Sequence, residues 1–261
     1  MRITRSLPPD MRLNLYHRAK ALYNQGWGHK KIAKYLGISR GATQGWLLNN
    51  RYPLSSHNKP NLNLKNEISY IIGVMLGDGY FYSHSGKWEL ILKAKDRDFV
   101  EYFNKICSNI VGVKLYAIQN VDEFYCRVSV HSRILFEHLK QDFEKLKQII
   151  DEFPSQFLRG FFDSEGGLRK RRSRGYEYTH IFVCNTNVPL LLYVKELLKN
   201  KYQIDSYLEN SRTCKILCIG NRKSILFFAE HIGFTINRKQ ERLNQLTENI
   251  LRNLNGHQNS N

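Results

Sequence analysis

No apolar run in this chain approaches the ~20 residues needed for a membrane-spanning helix, so no span is expected. Acids are nearly missing from its first quarter. Residues 1–66 contain Asp10 alone, against twelve lysines and arginines. Such a basic, acid-poor start could imitate a transit peptide, but Pro8-Pro9-Asp10 interrupts it and a folded pattern follows at once. No targeting signal is read, and a cytoplasmic location is expected. Cysteine is sparse and odd in number: Cys107, Cys126, Cys184, Cys214 and Cys218, mostly in strand-like apolar stretches. They are expected to be reduced core residues of a reducing compartment. Cys214 and Cys218 lack partners at zinc spacing, which argues against a structural metal. Gly79-Tyr80 is followed by no Gly-Lys-Ser/Thr run, which excludes a phosphate loop.

What is present is positive charge, +17 overall with a pI near 9.7. An excess of that size points to a polyanionic partner, nucleic acid before membrane, over the plainer reading of a merely basic soluble protein. The 42% hydrophobic content is that of a globular chain. The length allows one large domain or two modest ones.

The basic first quarter has helical periodicity. Leu13, Leu15, Ala19, Leu22 and Tyr23 outline a helix that stops at Gln25-Gly26-Trp27-Gly28. Ile32, Ala33 and Leu36 share the face of a short second helix, and Gly37 suits its left-handed C′ position. Ser39 is a candidate N-cap for a third helix with Ala42 and Trp46 on its buried side. The string Ile32-Ala33-Lys34-Tyr35-Leu36-Gly37-Ile38-Ser39 resembles the helix-turn-helix family, which implies a third helix in the DNA major groove. Arg40, Thr43 and Gln44 are its exposed candidates. The alternative is a three-helix protein-binding module, which the charge disfavours. Pro-, Ser- and Asn-rich residues 51–66 read as a linker.

Beyond residue 66 one pattern runs twice. Ile71-Ile72-Gly73-Val74-Met75-Leu76-Gly77-Asp78-Gly79 and Leu158-Arg159-Gly160-Phe161-Phe162-Asp163-Ser164-Glu165-Gly166 are both apolar helical runs with small residues four apart, ending in carboxylate-glycine. Small residues at that spacing let two helix backbones approach closely. Packing Gly73/Gly77 on Gly160/Ser164 brings Asp78 and Glu165 out side by side, where they repel unless a cation or proton intervenes. Matching elements follow each run. In the first half Trp88, Leu90, Leu92 and Ala94 alternate with Glu89, Ile91, Lys93 and Lys95; then come a helix (Phe99, Tyr102, Phe103, Ile106), strands near 114–119 and 124–131, and a helix over 132–139. The second half repeats this with a strand over 178–185, a helix from about Asn187, strands near 203–209 and 213–219, and a helix over 223–231. Ser132-Arg133-Ile134-Leu135-Phe136 even resembles Lys223-Ser224-Ile225-Leu226-Phe227. A final helix is expected over 237–251.

Two αββαββα halves opened by such helices resemble the single-chain LAGLIDADG homing endonucleases, over about Glu67 to Leu251. The first copy keeps glycine at the third position and Asp-Gly at the end, with Leu76 at the sixth; the second has Arg159 at the second position and Asp163 at the sixth. The resemblance implies an α+β fold: two pseudo-symmetric repeats forming a DNA-binding saddle, behind a small all-α helix-turn-helix domain. The division expected is 1–50 helix-turn-helix, 51–66 linker, 67–153 first repeat, 154–251 second repeat and 252–261 flexible tail. It also implies an intron-encoded, metal-dependent, site-specific DNA endonuclease that leaves short 3′ overhangs and works as a monomer with internal pseudo-two-fold symmetry. The penultimate carboxylates carry over as the catalytic, metal-holding pair Asp78 and Glu165, with Gly77 and Ser164 beside them. Mg²⁺ or Mn²⁺ is the implied cofactor, since Mg²⁺ takes few carboxylates and completes its shell with water and phosphate oxygens. Asp163 reads as helix-end scaffolding. Basic residues around the reacting water are assigned to Lys95, Arg127 and Lys215; Lys215 falls on the core face if Ile219 aligns with Val130, and a one-residue shift reverses that.

No His-Asn-His arrangement with paired cysteines competes, and His29, His84, His131 and His180 are scattered. The implied partner is double-stranded DNA, read by sheets lying in the major groove, with no membrane role. Lys93, Tyr125, Ser129 and His131 are placed on the DNA face of the first sheet, opposite Phe124, Cys126, Val128 and Val130. Arg169, Lys170, Arg171, Arg172 and Arg174 form a basic loop for phosphate contact, the alternative being a solvated hairpin tip. Two rival functions share the scaffold: an RNA maturase binding intron RNA, and a non-cleaving DNA-binding regulator. Both carboxylates are retained, which favours the nuclease. Without recognisable protein-splicing termini and starting at Met1, the chain reads as free-standing.

Overall fold

The computed structural model describes residues 7–49, 53, 60–173 and 175–258. The chain forms two compact units, Met1–Lys59 and Pro60–Asn261. Arg174 and most of the expected linker (51, 52 and 54–59) lie outside the described residues.

The first unit holds three helices: α1 (Pro9–Asn24), α2 (His29–Tyr35) and α3 (Arg40–Leu47). Gly37 adopts φ +66°, the left-handed turn that separates α2 from α3. Ser39 caps α3, its side chain accepting the Ala42 N–H at 3.2 Å. Tyr16, Ala19, Ile32, Ile38, Trp46 and Leu47 form the core of this unit. Thr43 corrects an expectation. It is fully buried, and its hydroxyl donates back to the Arg40 carbonyl at 2.9 Å. Packing of Trp46 and Leu47 turns the 43 position inward as well, so Thr43 offers nothing to a groove, while Arg40 and Gln44 are exposed.

The second unit is the duplicated α+β fold. Its first repeat runs α4 (Lys65–Met75), β1 (Gly79–His84), β2 (Lys87–Ala94), α5 (Arg97–Val111), β3 (Gln119–Asn120), β4 (Cys126–His131) and α6 (Arg133–Leu139). After α7 (Phe143–Glu152), the second runs α8 (Pro154–Glu165), β5 (Gly166–Ser173), β6 (Tyr176–Asn185), α9 (Val188–Tyr202), β7 (Tyr207–Asn210), β8 (Lys215–Ile219) and α10 (Arg222–His231), followed by α11 (Asn237–Gln258). The sheets are antiparallel with equivalent orders, β1-β2-β4-β3 and β5-β6-β8-β7. Leu90, Leu92, Val128 and Val130 on one sheet and Ile181, Val183, Leu217 and Ile219 on the other point into one core shared with α4 and α8. Burial of such side chains is the main stabilising term, at roughly 1.5–3 kcal/mol each.

Several elements depart from the periodicity. The expected strand near 114–119 shrinks to β3, because the Asn104 side chain takes both backbone groups of Tyr116 (2.8 and 3.0 Å) away from the ladder. The Asp122 carboxylate accepts the N–H groups of Phe124 and Tyr125 at 2.8 Å each. That turn delays β4 to Cys126 and leaves Phe124, expected in the core, 69% exposed. α7 has no counterpart among the expected helices, although Leu146 and Ile150 are buried along it. The basic stretch from Arg169 is strand β5, not a loop. α11 continues to Gln258, past the expected stop at 251.

Cys184 and Cys214 form a disulfide, which corrects the reading of all five cysteines as separate thiols; Cys107, Cys126 and Cys218 are free and buried. Pairing of Cys184 with Ile216 brings the residue two positions earlier alongside it. The bond closes a span of 30 residues, so reduction or Cys184→Ser is expected to lower stability by about 3 kcal/mol, read as a fall in denaturation midpoint.

Candidate active site at the paired helix ends

α4 and α8 meet backbone to backbone, as the small-residue spacing requires. A Cβ built on Gly73 would lie 2.2 Å from the Phe157 carbonyl oxygen, and one on Gly160 2.3 Å from that of Tyr70. One turn on, a Cβ on Gly77 would lie 2.5 Å from Ser164 Cβ and 3.1 Å from Glu165 Cγ. The glycines after the carboxylates serve the sharp helix-to-strand exit. A Cβ on Gly166 would collide with the Phe162 carbonyl at 2.6 Å, and one on Gly79 with the Met75 sulfur at 2.6 Å.

Asp78 and Glu165 therefore leave the two helices as neighbours, Asp78 at the exposed rim and Glu165 partly buried. Burial raises Asp78 above the usual carboxylate range, with Lys239 opposing and Asp96 adding. Burial and then the Asp78 charge push Glu165 up to about 7, offset in part by Lys239 and by a hydrogen bond from Asn185. Asn185 Nδ2 donates to Glu165 Oε1 at 3.3 Å. The proton of the pair thus rests on Glu165. Asp163 belongs to a different network. It is buried, accepting from Tyr70 Oη at 3.0 Å and the Thr235 N–H at 2.9 Å, so it ties α4 to the turn before α11.

A cleft of about 350 Å³ opens beside Asp78, with Lys93, Lys95, Tyr125, Lys239 and Arg242 among its lining residues. Lys93 Nζ lies 4.7 Å and Lys95 Nζ 5.4 Å from the Tyr125 ring centroid, so three of the expected residues do converge. Arg127 is paired in register with Lys93, Ser129 with Ile91 and His131 with Glu89, all on the face away from the helices. Arg127 Nε is buried without a hydrogen-bond partner among the described residues, and His131 Nδ1 lies 3.4 Å from Glu89.

Lys215 is not part of this cluster. Ile219 pairs with Ile181 as Val130 pairs with Leu90, which sets Lys215 on the core-facing parity with Leu217 and Ile219. Its amine bonds to Asn210. The basic strand β5 splits the same way. Arg169 and Arg171 lie opposite His180 and Tyr178 on the outer face and pair with Glu209. Lys170 and Arg172 take the opposite parity, with Lys170 3.7 Å from Glu177.

Lys239 is the residue that sequence reasoning missed. It is 6% exposed, and its amine donates to the carbonyls of Phe162 and Asp163 at the end of α8. Burial lowers it to about 8, against the pull of Asp163, Asp96 and Asp78. The start of α11 is held there by Arg238, which bonds to both oxygens of Asp96, and by the Asn237 N–H on Asp98 at 2.7 Å. Lys239 lies after the second repeat, where a lysine in a first helical turn looks like any solvated one, so no sequence signal singles it out.

The residues present fit a divalent cation: two hard carboxylates side by side, Glu165 raised by burial and by the Asp78 charge, with room beside Asp78 for oxygen ligands. Among the described residues no group of three or more His, Cys, Asp or Glu is assembled, so the protein would supply only part of a shell.

Duplicated αββαββα repeats, joined through glycine-bearing helices that each deliver a carboxylate, define a LAGLIDADG-type scaffold. Residues 152–233 match the family model described as the LAGLIDADG-like domain. Over 268 aligned residues the chain is 28% identical to an uncharacterised protein of Methanocaldococcus jannaschii, covering 91% of this chain and 94% of that protein. A second uncharacterised protein of that organism is 28% identical over 141 residues, and the match spans 53% of its length. Among solved structures, the fold is similar to that of I-DmoI in complex with DNA and Ca, with a TM-score of 0.53 and 17% identity, covering 70% of this chain and 99% of that one. A structure of mesophilic variants of the homing endonuclease I-DmoI gives a TM-score of 0.52 at 17% identity, over 65% of this chain and 97% of that one. No helix among the described residues is long and apolar enough to cross a membrane.

Proposed function

We propose that this chain is a site-specific, divalent-metal-dependent endonuclease of double-stranded DNA. The observation that carries the reading is the Asp78–Glu165 pair, one carboxylate from each repeat, neighbouring at the paired helix ends so that the Asp78 charge raises Glu165. Similarity in fold to a homing endonuclease solved with DNA and metal ions supports it, as does the +17 charge. Asp78 and Glu165 would hold Mg²⁺ or Mn²⁺, with the Gly77 and Ser164 positions beside them. The metal supplies Lewis-acid activation of water and charge stabilisation at the phosphate. The chain's own contribution is to hold the two carboxylates together at the helix ends and to keep Lys239 fixed near both of them. Lys93, Lys95 and Arg127 present cations to the phosphate backbone from the first sheet. In the first unit, α2 and α3 are a helix-turn-helix whose Arg40 and Gln44 meet DNA. The protein acts as a monomer, since both carboxylates come from one chain.

The test is incubation of the full chain with a randomised duplex library and Mg²⁺. Double-strand scission at one recurrent sequence supports the reading; binding to structured RNA with no DNA scission overturns it in favour of a maturase.

A pH prediction follows from Glu165. Held at about 7, it carries a proton at pH 6 that an incoming cation must displace. Ca²⁺ binding to the protein is therefore expected to release close to one proton at pH 6. Its affinity should fall about tenfold per pH unit below 7. Calorimetric titration in two buffers of different ionisation enthalpy measures both.

A further inference from the structure

The outer face of the second sheet carries a carboxylate where a DNA-binding surface should avoid one. Glu209 sits on β7 and Arg169 and Arg171 on β5, the opposite edges of the β5-β6-β8-β7 sheet. Their side chains meet across the face over the two central strands. All three are sheltered, with side chains 32% (Arg169), 34% (Arg171) and 21% (Glu209) exposed. Both guanidinium groups bond to one oxygen, Glu209 Oε2, Arg169 at 3.2 Å and Arg171 more closely. Glu209 Oε1 accepts no hydrogen bond among the described residues.

The two arginines are not equivalent. Arg169 lies over the Phe182 ring, its guanidinium 5.2 Å from the centroid, and its Nε is buried without a partner among the described residues. It is a fixed holder. Among the described residues Arg171 engages Glu209 through Nη2 and makes no other hydrogen bond, which leaves the rest of its donor fork open. Beneath them His180 is fully buried, with Nδ1 3.1 Å from the Tyr207 hydroxyl. Tyr178 and Tyr207 flank the trio and are exposed.

A carboxylate can only accept hydrogen bonds, and the sugar-phosphate backbone of duplex DNA offers it repulsion. In the major groove the donors are the amino groups of cytosine and adenine, while the arginine fork matches guanine O6 and N7. An arginine fork and a free carboxylate oxygen side by side fit one base pair carrying both patterns. Resting on the proposed DNA-binding role, we propose that Glu209 and Arg171 read a single G·C pair in the half-site under the second sheet. Glu209 accepts from cytosine N4, Arg171 donates to guanine, and Arg169 is the positioning residue. The free carboxylate also rejects pairs that place an acceptor opposite it, so it contributes by exclusion.

Binding selection from randomised duplexes in Ca²⁺, followed by sequencing, tests this without requiring cleavage. The wild-type chain is expected to enrich G·C at one position of one half-site. Glu209→Ala is expected to lose that preference by about tenfold or more. It should also bind random duplex more tightly and with a steeper salt dependence, because two arginines are released to phosphates. Glu209→Gln is expected to move the preference toward A·T, since an amide pairs with adenine. Base preferences unchanged in Glu209→Ala, with matching thermal melts, overturn the assignment and leave Glu209 a holder of arginines. A wild-type chain that selects no sequence at all overturns the site-specific reading itself.

Discussion

Asp78→Asn and Glu165→Gln are each expected to reduce double-strand cleavage by about a thousandfold or more, while duplex binding in Ca²⁺ stays within a few fold. Each substitution keeps the shape of the side chain and removes one of the two charges able to hold the cation, so loss of cleavage without loss of binding identifies the pair as catalytic. Full cleavage by both variants would remove the site. Stability should move the other way for Glu165. A carboxyl whose folded-state value is raised from 4.5 to about 7 binds its proton more tightly folded than unfolded. The native state therefore loses stability as pH rises from about 4.5 to 7, and the penalty stays constant above. In metal-free buffer at pH 8, Glu165→Gln is expected to melt a few degrees above the wild type, roughly 2–4 °C per kcal/mol relieved. At pH 4 the two should melt together. A variant that is both more stable and inactive has a charge retained for chemistry at the expense of the fold.

The carboxylate pair was legible because the chain contains its own comparison. One Asp-Gly after an apolar helix means little, but two copies with matching strands and helices behind them locate equivalent positions. The same comparison demoted Asp163, whose partners turned out to be Tyr70 and Thr235. Alternation within single strands also held, placing Lys93 and Arg127 on one face. What failed was whatever depends on contacts between elements. Lys215 needed the pairing of Ile219 with Ile181, and a one-residue ambiguity reverses a strand. Thr43 lies on a helix of eight residues, too short for its period to say which neighbouring face is covered. The Cys184–Cys214 bond depends on which residues face each other across β6 and β8. Lys239 and the Glu209 trio bring together side chains from elements far apart in sequence, and no spacing rule reaches them.

Gly73→Ala and Gly160→Ala are expected to be the most damaging single substitutions, each costing about 3 kcal/mol or more. The new methyl group would meet backbone, the Phe157 carbonyl oxygen in one case and that of Tyr70 in the other. No side-chain rotation can relieve that contact, so the helices must part along the length that joins the repeats. Gly77→Ala differs, because its Cβ would meet the side chain of Ser164. Its cost should be smaller, and Ser164→Gly in the same chain should return at least half of it, a coupling measurable by a denaturation double-mutant cycle. Cleavage should respond in the opposite order of sensitivity. Gly77 and Ser164 are the last close contact before Asp78 and Glu165, so their spacing sets the separation of the carboxylates. A displacement of about 1 Å there is expected to lower cleavage about a hundredfold even where the protein stays folded. Recovery of stability and of cleavage together in the double variant would mean that the helix contact and the catalytic geometry are one constraint. Glycine at 77 would then be required by the separation of the two charges as well as by packing.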